Sequence, residues 1–437
     1  MNFLRKKLIF DSSVLVNAYL SGDIFKTGIY RVSFEILRGL IQVDKYNIYL
    51  FDLYGREREI RKYVAPKFQQ VKVLPLDSKM YKTFVYPLFN FTDHLRIKEY
   101  QTKRPGLKLI YRFCKNCFHT LARALRYFEK KKKVTSNFLN FNDSDIYLST
   151  YNRIPLNVSF LSKLRKAIII HDLIPIIHPE YFYNHENKEI LEAIIESISD
   201  NDNVICVSES TKCDFLKYRP SFKIENIFVS HLAGAECFHP ILSANREETV
   251  KEKYKISYQR SYYLSVCTIE PRKNIGLLIK VYERLLKYSK GKDMPLLVLT
   301  GAVGWESQSL LENINRINNA YNNSVILTGF VNDEDLAILY SHALCFVYPS
   351  LYEGFGLPPL EAMQCGAPVI ASNNSSLPEV VGRAAILIDA GDEEALLNAL
   401  ITCLDSNKTH EMRKKSLQRA ALFSWNKTIS NIVNILN

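Results

Sequence analysis

Short apolar runs alternate with longer amphipathic stretches along most of the chain. Runs of this length, rich in Val, Ile, Leu and Tyr, are typical of buried β-strands. Residues 188–199 are predicted as a helix, and this helix precedes a strand at 204–207 as a crossover should. Strands separated by helices predict an α/β fold with two parallel, doubly wound sheets. The predicted strands are 8–10, 48–51, 71–74, 146–148, 167–170, 204–207, 262–266, 296–299, 325–327, 345–348 and 369–370.

The length of 437 residues favours two domains of about 200 residues each. A boundary is predicted near Cys237-Phe-His-Pro240, where a linker with proline precedes a polar helix and a new strand. We therefore expect a first domain over 1–238 and a second domain over 239–415. Residues 416–437 are predicted to end in an apolar helix that packs back on the first domain.

The net charge of +12 is concentrated between residues 96 and 133, where thirteen Lys or Arg stand against two Glu. Apolar residues interleave with these charges at helical spacing, so the segment is predicted as a basic amphipathic helix or helix pair. It is either a solvated insertion that packs on its own domain or a surface that docks on an anionic membrane. Nucleic acid is a weaker candidate, because no nucleic-acid-binding motif accompanies the charge.

Nine cysteines lie in largely apolar surroundings, which fits a reducing cytoplasm. Cys114 and Cys117 have C-x-x-C spacing, but no second pair follows, so an accident of helix spacing is favoured over zinc or redox chemistry. The N-terminus lacks the pattern of a signal peptide, and no run reaches the ~18 apolar residues of a membrane span. We expect a cytoplasmic protein, which the basic segment could bring to the inner face of the membrane.

The segment Glu353-Gly-Phe-Gly-Leu-Pro-Pro-Leu-Glu361 follows the strand at 345–348 and is predicted to begin a short helix. Its glycines let backbone amides at the helix start approach a ligand, and these amides with the helix dipole attract anions. The two carboxylates, eight positions apart, could bind different hydroxyl groups of one ligand whose phosphates lie between them.

Cations that could neutralise such phosphates follow the strand at 262–266, in Glu270-Pro-Arg272-Lys273-Asn274. Either pair alone would be an ordinary surface feature. Together, at strand ends of one parallel sheet, they predict a phosphate-binding site.

These residues resemble the retaining glycosyltransferases of the GT-B fold, group 1 or family 4, whose signature is Glu-x7-Glu. Glu353 and Glu361 have that spacing, and the resemblance covers the second domain. It implies two Rossmann-like domains that face a cleft. The other matching segments are Thr268-Ile-Glu-Pro-Arg-Lys-Asn274, Gly301-Ala-Val-Gly-Trp305, Thr328-Gly-Phe-Val-Asn-Asp333, Pro349-Ser350 and Asn374-Ser-Ser-Leu-Pro-Glu379.

The resemblance also implies roles. Arg272 and Lys273 would hold the donor diphosphate, Glu353 would bind the transferred sugar, and Glu361 would bind the ribose hydroxyls. Many members carry another arginine where this chain has Cys267. Arg272 would therefore provide a larger share of the phosphate binding in this chain. The remaining implied donor-binding residues are Glu270, the backbone of Gly354, Phe355, Gly356 and Leu357, and, beside the nucleobase, Gly329, Phe330 and Val331.

In the first domain, Thr27-Gly28 opens a helix where the family has a glycine loop facing the donor, although the residues alone favour a plain turn. His171 ends the strand at 167–170, and its surroundings resemble those of bacterial mannosyl- and rhamnosyltransferases, in which the histidine contacts the donor sugar. His171 is therefore predicted at the reaction centre, together with Glu353, Arg272 and Lys273. Ser208 is interpreted as a helix cap.

The implied reaction moves a sugar from a nucleoside diphosphate to an acceptor hydroxyl with retained configuration, without metal or cofactor, since no D-x-D-like loop ends a strand. GDP-mannose is the favoured donor, ahead of dTDP-rhamnose and a UDP-sugar. The expected acceptor is a lipid-linked saccharide of bacterial surface polysaccharide synthesis, such as O-antigen, capsule or lipopolysaccharide. The alternatives are a nucleotide-sugar epimerase and a non-catalytic binding module.

Overall fold

The first half of the chain forms a parallel sheet of seven strands in the order β3-β2-β1-β4-β5-β6-β7. The structure, a computed structural model, describes residues 5–21, 28–54, 56–74, 86–102, 104–130, 141–155, 161, 163–183, 185–288, 294–305 and 307–437. The strands are β1 (Lys6–Asp11), β2 (Tyr46–Phe51), β3 (Lys72–Val73), β4 (Ile146–Ser149), β5 (Arg165–Ile170), β6 (Asn203–Cys206) and β7 (Ile227–Val229).

The second half forms a parallel sheet of six strands in the order β10-β9-β8-β11-β12-β13. In each sheet the strand order reverses next to its first strand, which is the switch point where doubly wound sheets bind ligands. The predicted α/β class with two doubly wound sheets is confirmed. The strands are β8 (Tyr262–Val266), β9 (Leu296–Thr300), β10 (Val325–Gly329), β11 (Cys345–Tyr348), β12 (Val369–Ser372) and β13 (Ile386–Ile388).

Helices connect the parallel strands and cover the sheets. The helix predicted over 188–199 is present as α7, although it ends three residues earlier, at Glu196. The helices are α1 (Ser13–Ser21), α2 (Gly28–Val43), α3 (Glu57–Glu59), α4 (Tyr86–Gln101), α5 (Pro105–Lys130), α6 (Ile174–Ile177), α7 (Glu186–Glu196), α8 (Glu209–Tyr218), α9 (Ala244–Lys253), α10 (Ile275–Tyr288), α11 (Gln308–Ala320), α12 (Asp333–His342), α13 (Leu357–Gln364), α14 (Leu377–Val381), α15 (Glu393–Thr402), α16 (Ser406–Ala420) and α17 (Trp425–Leu436).

Two strands, β7 and β13, were not predicted from the sequence. Each has three residues and lies at the edge of its sheet, where only one side is paired. Their burial is also incomplete, so they lack the continuous apolar run that marks a central parallel strand. β7 extends the first sheet at the edge farther from its switch point, and β13 forms one of the two edges of the second sheet.

The last helix, α17, packs against α2 of the first sheet's domain. The side chain of Ile429 lies directly over Gly39, and the indole Nε1 of Trp425 donates to the carbonyl oxygen of Gly234 at 3.1 Å. At the chain end, Arg165 donates to the carbonyl oxygen of Asn437 at 3.1 Å. The chain therefore returns to the first sheet after completing the second.

The basic segment is a pair of packed helices, α4 and α5, and its first helix begins ten residues before the predicted start. Phe118 of α5 meets Phe91 of α4 edge to face, with ring centroids 4.8 Å apart. Residues 103 and 131–133 of the predicted segment lie outside the described residues. Within the described part of the chain, no helix combines the length and apolar character needed to span a bilayer.

Candidate active site

A buried cluster around Glu353 lies at the switch point of the second sheet. Glu353 follows β11, while Arg272 and Lys273 follow the neighbouring β8. Oε1 of Glu353 accepts from Nζ of Lys273 at 2.5 Å and from the hydroxyls of Tyr348 at 2.9 Å and Ser350 at 2.7 Å. Oε2 lies 2.9 Å from Nη1 of Arg272. The two predicted phosphate-binding cations are thus paired with the carboxylate predicted to bind the sugar.

The charge state of Glu353 follows from these contacts. Burial alone would raise its pKa, but Arg272, Lys273 and the hydrogen bonds together lower the pKa of Glu353 to about 2. Arg272 has a second carboxylate partner, because its Nη2 donates to Glu270 at 2.9 Å. Two cations and two carboxylates therefore balance in this cluster, and Glu353 is ionised at neutral pH.

The loop from Glu353 into α13 adopts the tight geometry expected of a glycine loop. Gly356, at the helix N-cap, has φ +105°, a conformation that L side chains rarely adopt. Leu357 is the first residue of the helix, and Pro358 and Pro359 follow it. Since proline has no N–H group, this helix start offers the amides of Gly356 and Leu357 but none from the prolines. The main-chain donors that could face an anion are therefore those of the glycine loop itself.

His171 meets this loop from the first domain. A Cβ built on Gly354 would lie 2.2 Å from the carbonyl oxygen of His171, so only glycine fits. The ring Nε2 of His171 lies 2.8 Å from the carbonyl oxygen of Thr150. Since a carbonyl only accepts, Nε2 carries the proton, and the free ring atom of the neutral form is Nδ1. Burial lowers the pKa of His171, which keeps the ring neutral near pH 7.

Asp172, next to His171, joins the cluster. Burial raises the pKa of Asp172, and the nearby charge of Arg272 opposes that rise. One oxygen of Asp172 accepts from the amide of Ile174 at 3.0 Å. The sequence pattern pointed to the polar pair His171-Asp172 but assigned only His171 to the reaction centre, whereas Asp172 lies near enough to Arg272 to interact with its charge.

Contacts from α8 fix the approach of the two domains. Ser208 caps α8 as predicted, because its Oγ accepts from the amide of Thr211. The hydroxyls of Ser208 and Thr211 then both donate to the carbonyl oxygen of Gly354, at 2.7 and 3.1 Å. Glu379 accepts from the amides of Glu209 and Ser210 at the start of the same helix.

Glu361 lies in α13, and its contact also comes from the first domain. Arg31 of α2 donates through Nη1 to Oε1 of Glu361 at 2.5 Å, and through Nη2 to both oxygens of Asp333 at 2.8–2.9 Å. The site residues that the sequence did not assign are therefore Arg31, Asp333, Tyr348, Ser350 and Asp172. Asp333 and Ser350 stood inside quoted motifs, whereas nothing in the sequence linked Arg31 to Glu361.

The predicted nucleobase segment lies at the end of β10. Gly329 has φ +70° with open space beyond its Cα, and Phe330 is 70% exposed, while Val331 is buried in the core. Asp333 lies two positions after Val331. It accepts hydrogen bonds from Arg31, which also donates to Glu361. Gly28 lies across the cleft, where a Cβ would be 3.6 Å from Leu357. Among the predicted donor residues, Gly28, Gly354, Leu357 and Glu361 thus take part in contacts between the two domains, whereas Val331 lies in the core.

Comparisons with known proteins agree with this architecture. Residues 246–420 match the family of glycosyl transferases group 1. O-antigen chain mannosyltransferase B of Escherichia coli is 34% identical over 274 residues, which are 62% of this chain and 70% of that protein. The serotype-specific mannosyltransferase WbdA of Escherichia coli is 35% identical over 269 residues, 60% of this chain and 32% of that longer protein.

Solved structures match over almost the whole chain. HepE of Anabaena, determined in complex with UDP and glucose, has a TM-score of 0.61 at 15% identity, with 99% of each chain covered. WaaG, a glycosyltransferase involved in lipopolysaccharide biosynthesis, has a TM-score of 0.59 at 12% identity, covering 94% of this chain and 96% of that one. At these identities the match establishes the fold.

The two facing sheets and the cleft between them define the GT-B fold, and with it the class of glycosyltransferases that use a nucleotide-sugar donor. The chain belongs to the family of glycosyl transferases group 1, whose members retain the configuration of the sugar they transfer. The expectations of a GT-B fold and of a glycosyltransferase are confirmed.

Proposed function

We propose that this enzyme transfers mannose from GDP-mannose to a lipid-linked saccharide during bacterial surface polysaccharide synthesis. The similarity to O-antigen mannosyltransferases supports the sugar and the pathway class, since it extends over 62% of the chain. The observation that carries the chemistry is the cluster of Arg272, Lys273 and Glu353, which adjoins the contact between Gly354 and the main chain of His171. This arrangement brings diphosphate-binding cations and sugar-binding groups to one point in the cleft.

Arg272 and Lys273 stabilise the departing diphosphate as its charge develops, together with the amides of the glycine loop. These cations pair with Glu353 and Glu270, so the diphosphate competes with both carboxylates for them. Glu353, displaced from one cation, is then free to accept hydrogen bonds from sugar hydroxyls. Binding of the donor thus prepares the groups that hold the sugar.

Neutral His171 completes the sugar site from the first domain. Its protonated Nε2 is anchored to Thr150, which leaves Nδ1 to accept from a hydroxyl of the donor sugar. The acceptor hydroxyl attacks the anomeric carbon from the face that the diphosphate leaves and passes its proton to the departing phosphate oxygen, which retains the anomeric configuration. The side chains that we assign to the reaction are His171, Arg272, Lys273 and Glu353.

The donor is tested by thermal-shift measurements with GDP-mannose, dTDP-rhamnose and UDP-glucose. A ligand that binds the folded state raises Tm by an amount set by its affinity and concentration. We expect the largest rise with GDP-mannose, and transfer of radiolabelled mannose to a lipid-linked saccharide from the same donor. A larger rise and faster transfer with UDP-glucose or dTDP-rhamnose would contradict the mannose assignment.

The same assay separates the alternatives. Incubation of GDP-mannose without acceptor leaves the donor unchanged apart from slow hydrolysis if the enzyme is a transferase. Conversion of the donor to an epimer would favour the epimerase. A Glu353→Gln protein that supports polysaccharide synthesis in cells as well as the wild type would favour the non-catalytic binding module.

We also propose that α5 docks on an anionic membrane, where a lipid-linked acceptor is found. Leu109 and Phe113, four positions apart on one face, are 67% and 71% exposed, and Ile110 lies beside them. Lys108 and Arg104 are exposed at the same end of the helix. An exposed apolar face flanked by cations is the arrangement that binds at the interface of anionic lipids.

Cosedimentation with vesicles tests this docking. We expect binding to vesicles with phosphatidylglycerol, weaker binding with phosphatidylcholine alone, and loss of binding in Leu109→Glu. Leu242→Glu is the matched control, because Leu242 is 78% exposed in the connection between the sheets. Equal binding of the two variants would remove the membrane role.

A further inference from the structure

Arg31 is a partly buried cation that the first domain contributes to the second. It lies in the first turn of α2, and its guanidinium bridges Glu361 and Asp333 across the cleft. The guanidinium also lies 5.5 Å from the ring centroid of Phe238. Two ion pairs and a ring contact thus hold the side chain, although the two carboxylates are 302 and 330 residues away in the sequence.

Glu361 has an electrostatic environment that depends on this arginine. The groups that face it are Arg31 from α2, Asp333 and Tyr340 from α12, Cys365 at the end of its own helix, and Cys237 of the connecting segment. Burial raises the pKa of Glu361 to about 7, with Asp333 adding to the rise and Arg31 opposing it. Arg31 is the only cation among these groups.

We propose that Arg31 is a positioning residue for the donor, holding the Glu361 carboxylate in place as the acceptor for the ribose hydroxyls when the cleft is closed. The inference rests on the proposed function, in which Glu361 binds the ribose. A carboxylate accepts through both oxygens, whereas a protonated carboxyl must use one of them as a donor. Because Arg31 belongs to the other domain, an open cleft withdraws it and weakens the ribose site.

The direction of the pH effect follows from the burial of Glu361. Ribose binding requires the ionised form, so nucleotide affinity rises as the pH increases through about 7 in the wild type. Removal of the Arg31 charge leaves burial and Asp333 unopposed and raises the pKa of Glu361 further. The pH at which affinity is half maximal therefore moves upward. A loss of packing alone would weaken binding without moving that pH.

The experiment measures binding of GDP, UDP and dTDP to the full-length enzyme between pH 6 and 9, and continues with the nucleotide that the wild type binds most tightly. In Arg31→Gln we expect affinity at pH 7 to fall by about tenfold or more, as for the loss of a hydrogen bond to a charged group. The donor KM should rise by a similar factor, with a smaller change in kcat. Arg38→Gln is the matched control on the same helix, since Arg38 pairs with the exposed Glu236.

A double-mutant cycle with Glu361→Gln completes the test. Because an amide does not ionise, Arg31→Gln should cause little further loss and no pH shift in that background. Unchanged affinity and pH midpoint in Arg31→Gln, with a wild type that binds and transfers, would overturn the role of Arg31 alone. If the wild type binds none of the three nucleotides, the proposed function fails and this inference fails with it.

Discussion

Gly354 and His171 approach each other so closely that a Cβ at Gly354 would lie 2.2 Å from the carbonyl oxygen of His171. The same added Cβ would lie 2.8 Å from the Cβ atom of Asp172, and both neighbours belong to the opposite domain. The carbonyl oxygen of Gly354 meanwhile accepts from Ser208 and Thr211. One residue of the second domain is therefore held between two strand ends of the first.

Substitution of Gly354 by alanine should open the cleft at this contact. The added methyl group collides with main-chain atoms, which cannot move as a side chain can, so the domains must separate slightly. We expect transfer activity to fall by about 100-fold, since catalytic geometry tolerates only small displacements. Gly276→Ala is the control, because a Cβ there meets nothing within 4 Å. It should keep its activity and gain up to about 1 kcal/mol of stability. Equal activity of both variants would contradict the close contact.

Substitution of Glu353 by glutamine should separate nucleotide binding from transfer. The ion pairs of Glu353 with Arg272 and Lys273 would be lost, which leaves Glu270 as the one carboxylate that still competes with phosphate for Arg272. We expect GDP to bind more tightly than in the wild type, while turnover falls by 100-fold or more because the sugar loses its carboxylate. Calorimetry and steady-state kinetics measure the two effects. Weaker binding of GDP in Glu353→Gln would show that the cations depend on Glu353 for their position.

Acid should remove the stabilising contribution of Glu353 in a definite pH window. The pKa of Glu353 is lowered from 4.5 to about 2, so its contribution is complete above pH 4.5 and disappears as the pH falls towards 2. The Tm difference between the wild type and Glu353→Gln should therefore be large at pH 6 and small near pH 2.5. Loss of one partner from a buried pair costs about 3–5 kcal/mol at neutral pH.

Glu283 provides a matched comparison for this acid effect. Its pKa is also lowered to about 2, but through Arg316 and Lys287, whose side chains are exposed at the surface. Surface pairs contribute about 0–1 kcal/mol and are screened by salt. The effect of Glu283→Gln should be small and decrease further in 1 M NaCl, while that of Glu353→Gln persists. Similar salt sensitivity of the two variants would contradict the buried character of Glu353.

The sequence predicted those parts of the site that local patterns determine. Strand ends in a parallel sheet meet at one edge, which is why Arg272, Lys273 and Glu353 could be grouped although they are 80 positions apart. Arg31 and Glu361 are 330 positions apart in different domains, and their contact depends on how the two sheets face each other. No periodicity in the chain encodes that relation. The short edge strands β7 and β13 were not predicted for a local reason. Three residues that are only partly buried form too short an apolar run to be recognised as a strand.

The packing of α17 on α2 allows a prediction by complementary substitutions. A Cβ on Gly39 would lie 2.3 Å from Cγ1 of Ile429, so Gly39→Ala overpacks the contact and should cost about 1–3 kcal/mol. Ile429 is 3% exposed, and Ile429→Ala should cost about 2–5 kcal/mol through the cavity that it leaves. In the double variant the new methyl group occupies part of that cavity, so the loss should be smaller than the sum by about 1 kcal/mol or more.

The control for this cycle is Leu436→Ala. Leu436 is 1% exposed in the same helix, seven residues beyond Ile429, or about 10 Å along the helix axis. Its effect should add to that of Gly39→Ala within about 0.5 kcal/mol, because the two sites share no contact. Denaturant unfolding of the three single and two double variants measures both couplings. If Gly39→Ala combines with Ile429→Ala as additively as with Leu436→Ala, then Ile429 does not cover Gly39, and the last helix is seated differently on the first domain.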